Sequence, residues 1–195
     1  MQYPAALRGA MLHDSQMLVR AERPDDADAV REVHRRAFGG ERVPRLVDAL
    51  RAAPAAIAPV SLVAVLDERV VGHVLLSTGR LDAPPRLVDV LVLSPLGVLP
   101  DHQHQGIGTA LVAQALDAAE ASGAPLLFLE GSPHYYGERG FREGAALGFR
   151  KPSLRIPDAA FQVAPLSSYE PWMTGTLVYS EPFWANDCVG LREPA

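Results

Sequence analysis

The chain has almost no lysine and almost no cysteine: Lys151 and Cys188 stand alone among 195 residues. A single thiol excludes an intramolecular disulfide and a cysteine zinc cluster, so Cys188 reads as an incidental tail thiol. The positive charge is nearly all arginine, and 18 basic against 23 acidic residues leave a net charge of −5. With no Lys/Arg-rich stretch, that balance argues against a nucleic-acid partner. A mildly acidic surface suits a cationic substrate such as an amine. Long apolar runs are missing too. No window approaches the ~18 residues of a membrane span, and residues 1–16 lack the basic start and apolar core of a signal peptide. The expectation is a cytoplasmic protein with no membrane partner, most simply built as one domain.

Two common phosphate-binding signatures are also absent. A P-loop needs a Gly-Lys pair, and the chain has none. The dinucleotide fingerprint G-x-G-x-x-G fails because Gly106 and Gly108 are followed by Ala110 and Leu111. What is present is LGVLPDHQHQGIG over residues 96–108, at the join between an apolar strand and an amphipathic helix. Glycine lets the backbone bend tightly and approach a ligand. The first amides of the helix lack intrahelical partners and sit at the positive end of its dipole. Such a turn is suited to an anion, and here to a pyrophosphate.

The remaining elements follow from spacing. Residues 17–21 read as a strand and residues 25–38 as a helix opened by Pro24 and acidic residues and stopped by Gly39-Gly40. A second helix spans residues 41–52, and residues 61–66 and 69–77 form a hairpin across Asp67-Glu68. Residues 79–86 read as the next turn, and residues 87–99 as a long apolar strand. Ser94-Pro95 and Gly97 interrupt that strand, which predicts a bulge and a splay from its neighbour near residues 96–98. A helix then runs to Ser122-Gly123, followed by a buried strand at residues 125–129 and a short helical segment from Ser132. Further strands are expected at residues 145–149, 161–165 and 174–179. The order β-α-α-β-β-β-α-β-α-β-β is mixed α/β, with the parallel crossover a βαβ unit requires.

Gln103-x-x-Gly106-x-Gly108 resembles the acetyl-CoA motif Q/R-x-x-G-x-G/A of the GNAT N-acetyltransferase superfamily. Tyr136-x-x-x-Gly140-Phe141 matches that family's second motif, with one helix and one strand between the two. The stretches LGVLPDHQHQGIGTALV, GSPHYYGERGF and TGTLVYSEPF look like a bacterial branch of predicted small acetyltransferases. The resemblance covers residues 17–183, leaving residues 1–16 as a lead-in and 184–195 as a tail. It implies a mostly antiparallel sheet, splayed between the fourth and fifth strands and flanked by helices.

The resemblance also implies roles. Backbone amides of Gln103, His104, Gln105, Gly106, Ile107, Gly108 and Thr109 would cradle the CoA pyrophosphate. Leu96, Gly97 and Val98 would hold the pantetheine arm, with the Val98 amide aimed at the thioester carbonyl as an oxyanion donor. Tyr136 would protonate the departing thiolate, its phenol remaining protonated above the thiol pKa of about 8.5. Ser132 stands near a position where relatives often carry asparagine, and its contacts to CoA are expected to differ. Glu130, at a strand end facing the crevice, is the first candidate for the general base; Glu41 and Asp89 are others. His102 and His104 with His73 or His134 read as ordinary side chains, and no metal is expected.

The implied activity moves an acetyl group from acetyl-CoA to a primary amine, on a small molecule or a protein, by direct attack. The alternative is a non-catalytic acyl-CoA-binding regulatory domain. The late strands could pair two copies into a homodimer.

Overall fold

The computed structural model describes residues 17–190. Its strands are β1 (Met17–Ala21), β2 (Val60–Leu66), β3 (Arg69–Asp82), β4 (Leu87–Val98), β5 (Leu126–Glu130), β6 (Arg142–Glu143), β7 (Phe149–Arg150), β8 (Phe161–Pro165) and β9 (Gly175–Val178). Its helices are α1 (Ala27–Phe38), α2 (Arg42–Ala52), α3 (Ile107–Ala121), α4 (Pro133–Gly137) and α5 (Glu181–Ala185). The strands join in the order β1-β2-β3-β4-β5-β8-β6, with β9 bridging β3 and β7. Pairing is antiparallel except at β4–β5 and β7–β9. The sheet is therefore the open, mostly antiparallel one that the resemblance implied.

Alternation along the central strands divides the core in two. Val90, Val92 and Phe128 point to the side covered by Leu46, Val47 and Leu50 of α2. Leu91, Leu127 and Leu129 point to the other side, where Leu111, Val112 and Ala115 of α3 cover them. The apolar periodicity of each helix supplies one covering face.

Two elements differ from the sequence reading. β3 does not turn at Gly79 but runs on to Asp82, because a remote strand replaces its first neighbour: β2 pairs with it up to Leu76, and β9 takes over at Arg80. Residues 145–149 are not a strand; a 3-10 turn at Ala145–Leu147 precedes β7 at Phe149. The expected tail also folds back. α5 spans the proposed boundary at residue 183, and Val189 is buried with its carbonyl accepting from Arg155. Residues 1–16, expected as a lead-in, and 191–195 lie outside the described residues.

Candidate active site

The site begins where two strands part. β4 and β5 pair only through Leu91–Leu127 and Val92–Phe128. Beyond that point β4 stays on β3, with Val74 opposite Leu96 and Gly72 opposite Val98. Two β4 residues, Ser94 and Pro95, lie between Leu93 and Leu96, against one on β3, Leu75, between Leu76 and Val74, so β4 bulges around Ser94-Pro95. The Leu99 amide donates to Val71 at 2.8 Å. Ladder alternation then turns the Val98 and Leu96 amides away from β3, toward the gap. This is the splay expected at residues 96–98, and the partner lost is β5.

The turn after β4 presents its backbone outward. Gln103, His104, Gln105 and Gly106 are exposed. His104 and Gly106 take φ values of +60° and +83°, and no atom lies within 4 Å of where a Gly106 Cβ would stand. Gly106 is thus required by its dihedral angle. It caps α3 without a side-chain hydrogen bond, and no acidic residue occupies the first turn. The opening amides of α3 are left for an incoming anion. The Gln103 side chain donates to the Val98 carbonyl at 3.1 Å, tying the turn to the strand end. Ile107 buries its side chain in the core, so only its backbone serves the turn.

A cavity of about 490 Å³ lies over this turn, walled by Leu96 and Val98 on one side and Tyr135 and Arg139 on the other. Arg139 Nη2 donates to Thr109 Oγ1 at 2.7 Å, and its guanidinium carbon lies 3.8 Å from the centre of the Tyr135 ring. A Cβ on Gly108 would come within 2.5 Å of the Tyr135 hydroxyl, so this glycine makes room for a tyrosine. Arg139 places a cation beside the amides of α3, as an anionic ligand requires.

A second cavity, of about 270 Å³, opens on the other side of the splay and shares Leu96 with the first. Glu130, Tyr136, Tyr179, Phe38 and Arg42 are among its walls. Burial pushes the Glu130 carboxyl above its ordinary value, opposed by hydrogen bonds from Tyr179 and the Gly190 amide and by the charge of Arg155. The Gly190 amide lies 3.0 Å from Glu130 Oε2. Burial, reinforced by neighbouring Tyr135, raises the Tyr136 phenol above its ordinary value, so it stays protonated and able to donate. Its ring packs over Gly131, where a side chain would collide with it, and edge-on to Phe141 at 5.8 Å.

Other expected residues fall elsewhere. Ser132 Oγ accepts from the Tyr135 amide at 3.4 Å; it caps α4 and lines neither cavity. Glu41 pairs with Arg31 at 3.3 Å and Asp89 with Arg80 at 3.8 Å, and neither lines either cavity. Gly97 does not open toward a ligand: its missing Cβ admits His34, whose Nδ1 would lie 2.8 Å from that atom. Cys188, expected as an incidental tail thiol, lines the smaller cavity. Sequence reasoning missed Arg139, although it sits inside the Tyr136–Phe141 motif. It also missed Tyr179, whose only signal was a generic strand end.

Residues 27–141 match the model of the acetyltransferase (GNAT) family, so the chain belongs to that family and is an acyltransferase by membership. The uncharacterized N-acetyltransferase YjhQ of Escherichia coli K12 is 30% identical over 165 residues, covering 80% of this chain and 88% of YjhQ. The crystal structure of E. coli YhbS in complex with CoA matches with a TM-score of 0.78 and 28% identity, over 90% of this chain and 96% of that one. A GNAT acetyltransferase from Brucella melitensis in complex with acetyl-CoA matches with a TM-score of 0.68 and 30% identity, over 87% and 99%.

Proposed function

We propose that the protein transfers an acetyl group from acetyl-CoA to a primary amine held in the smaller cavity. The observation that carries this reading is Leu96, which walls both cavities where β4 and β5 part. A cofactor whose pyrophosphate rests on the α3 amides would run its pantetheine arm along residues 96–98 and present its thioester at that shared wall. The CoA and acetyl-CoA complexes of the two similar structures support the same cosubstrate. Glu130, above its ordinary carboxyl range, takes a proton from the ammonium group. The neutral nitrogen attacks the carbonyl carbon, and the Val98 amide stabilises the oxyanion. The carbon–sulfur bond then breaks as Tyr136 gives its proton to sulfur, the tyrosinate takes the extra proton from the amide nitrogen, and Glu130 releases its proton to solvent.

The experiment is free-thiol release from acetyl-CoA against a panel of amines, preceded by a thermal-shift titration with acetyl-CoA. A rise in melting temperature by mass action with amine-dependent thiol release is expected. A shift with no release from any amine would favour the non-catalytic reading.

A further inference from the structure

Behind the cofactor-facing strand lies a polar chain inside an otherwise apolar core. His34 and His73 are both completely buried. His34 Nε2 lies 2.6 Å from His73 Nδ1, and His73 Nε2 lies 2.8 Å from Ser61 Oγ. Ser61 donates to Glu22 Oε2, and Arg51 Nη2 reaches both oxygens of that carboxylate at 2.6 Å. Glu22 feels burial first, but the hydrogen bonds from His73 and Ser61 and the Arg51 charge outweigh it and hold the carboxyl below its ordinary value. It is therefore ionised and accepts.

That charge sets the direction of every bond. Ser61 has one proton and spends it on Glu22, so its oxygen accepts from His73 Nε2–H. His73 Nδ1 is then bare and accepts from His34 Nε2–H. Burial, aided by His73 and Arg51 and opposed by Glu22, pushes His34 down to about 3, and burial lowers His73 as well. Both rings are neutral. His34 Nδ1 is left as a lone pair with no partner among the described residues. An unsatisfied buried acceptor costs about 1–3 kcal/mol, so a packed apolar side chain would serve mere stability better.

The unpartnered nitrogen faces Gly97, filling the space a Cβ would need. Gly97 is also the ladder partner of His73. Three contacts thus close a triangle: the His73 backbone pairs with Gly97, its side chain grips His34, and the His34 ring abuts Gly97. The same ring carries Phe38, stacked at 5.9 Å, which also lines the smaller cavity.

We propose that His34 and His73 are positioning residues that clamp Gly97, fixing the Val98 amide and the Leu96 wall for acyl transfer. This rests on the reading of residues 96–98 as the cofactor-binding strand. The clamp explains why a glycine is needed at a position that does not open to a ligand. It also explains why the chain is polar: hydrogen bonds from Glu22 inward hold the His34 ring in one orientation.

The test compares His73→Gln with His73→Leu. The glutamine amide can accept from His34 and donate to Ser61, preserving the chain's direction, whereas leucine cuts it. Small misplacements near reacting atoms can cost about 100-fold. His73→Leu is therefore expected to lower kcat by about 10-fold or more, with His73→Gln recovering most of the loss. Equal kcat and KM for wild type and His73→Leu, measured well below the melting temperature, would overturn the clamp. A second cycle covers variants that fold poorly. Gly97→Ala should weaken acetyl-CoA binding, and adding His34→Ala, which vacates the space, should restore part of it. Strict additivity would overturn the proposal. Absence of acetyl-CoA binding by the wild type would instead refute the cofactor reading, and non-additivity in melting temperature would still report the clamp.

Discussion

The two cavities flanking Leu96 are built in opposite ways. The larger one takes its floor from one run within residues 102–109, one wall from Leu96 and Val98 at the end of β4, and the other from Tyr135 of α4 and Arg139 just beyond it. The smaller one is assembled from α1, α2, β4, β5, α4, Tyr179 just after β9, and Asp187, Cys188 and Gly190. In the proposed reading, backbone amides do the work in the first, and the requirement falls on φ angles and on the absence of side chains. In the second, the proposed work falls to titratable side chains, set by burial and by partners far away in sequence. The first kind of site binds a chemically constant group, and the second can be rebuilt for a different acceptor while the fold stays the same.

If that division holds, variants of the two cavities fail differently. Tyr136→Phe has the largest expected effect, since loss of a positioned proton donor costs roughly 100-fold or more in kcat. Its dissociation constant for acetyl-CoA, measured by calorimetry, should barely move. Gly106→Val should do the reverse. A β-branched residue at φ +83° costs about 1–3 kcal/mol and withdraws the amides from their positions, weakening acetyl-CoA binding by about 10- to 100-fold. Equal losses of kcat and affinity in either variant would break the comparison.

Glu130→Gln is expected to lower kcat/KM by about 10-fold at neutral pH and to change the shape of the pH profile. The Glu130 carboxyl titrates above its ordinary value, so wild-type activity falls as the pH drops through that raised pKa while the base becomes protonated. Glutamine should flatten this acid limb, and an unchanged limb would remove Glu130 as the base. The smallest effect belongs to Arg139→Ala. Losing one contact at the low end of the charge-assisted range, about 1.5 kcal/mol, should raise KM for acetyl-CoA about 10-fold with kcat retained, more so at low salt.

The same division explains what could be read from the chain. The glycine turn, the interruption at Ser94-Pro95 and the place of Tyr136 beside the splay were legible because each is marked by contiguous residues. The larger cavity lost little except Arg139, whose role depends on reaching Thr109 across 30 positions of sequence. The smaller cavity was nearly illegible beyond Glu130 and Tyr136, because Tyr179 and Gly190 come to Glu130 only through folding. β3 failed for the same reason: Gly79 resembles a turn until β9 supplies a second partner for Arg80 and Asp82. Gly97 shows a subtler limit. Its need for glycine was visible, but the atom that imposes it, His34 Nδ1, lies 63 positions earlier and on a helix.

The most direct test of the account is a crystal structure with acetyl-CoA bound. It predicts the pyrophosphate on the amides of residues 104–109 and the acetyl carbonyl at Val98, opening past Leu96 into the cavity with Glu130 and Tyr136. An acetyl group directed away from that cavity, or a pyrophosphate seated elsewhere, would contradict it.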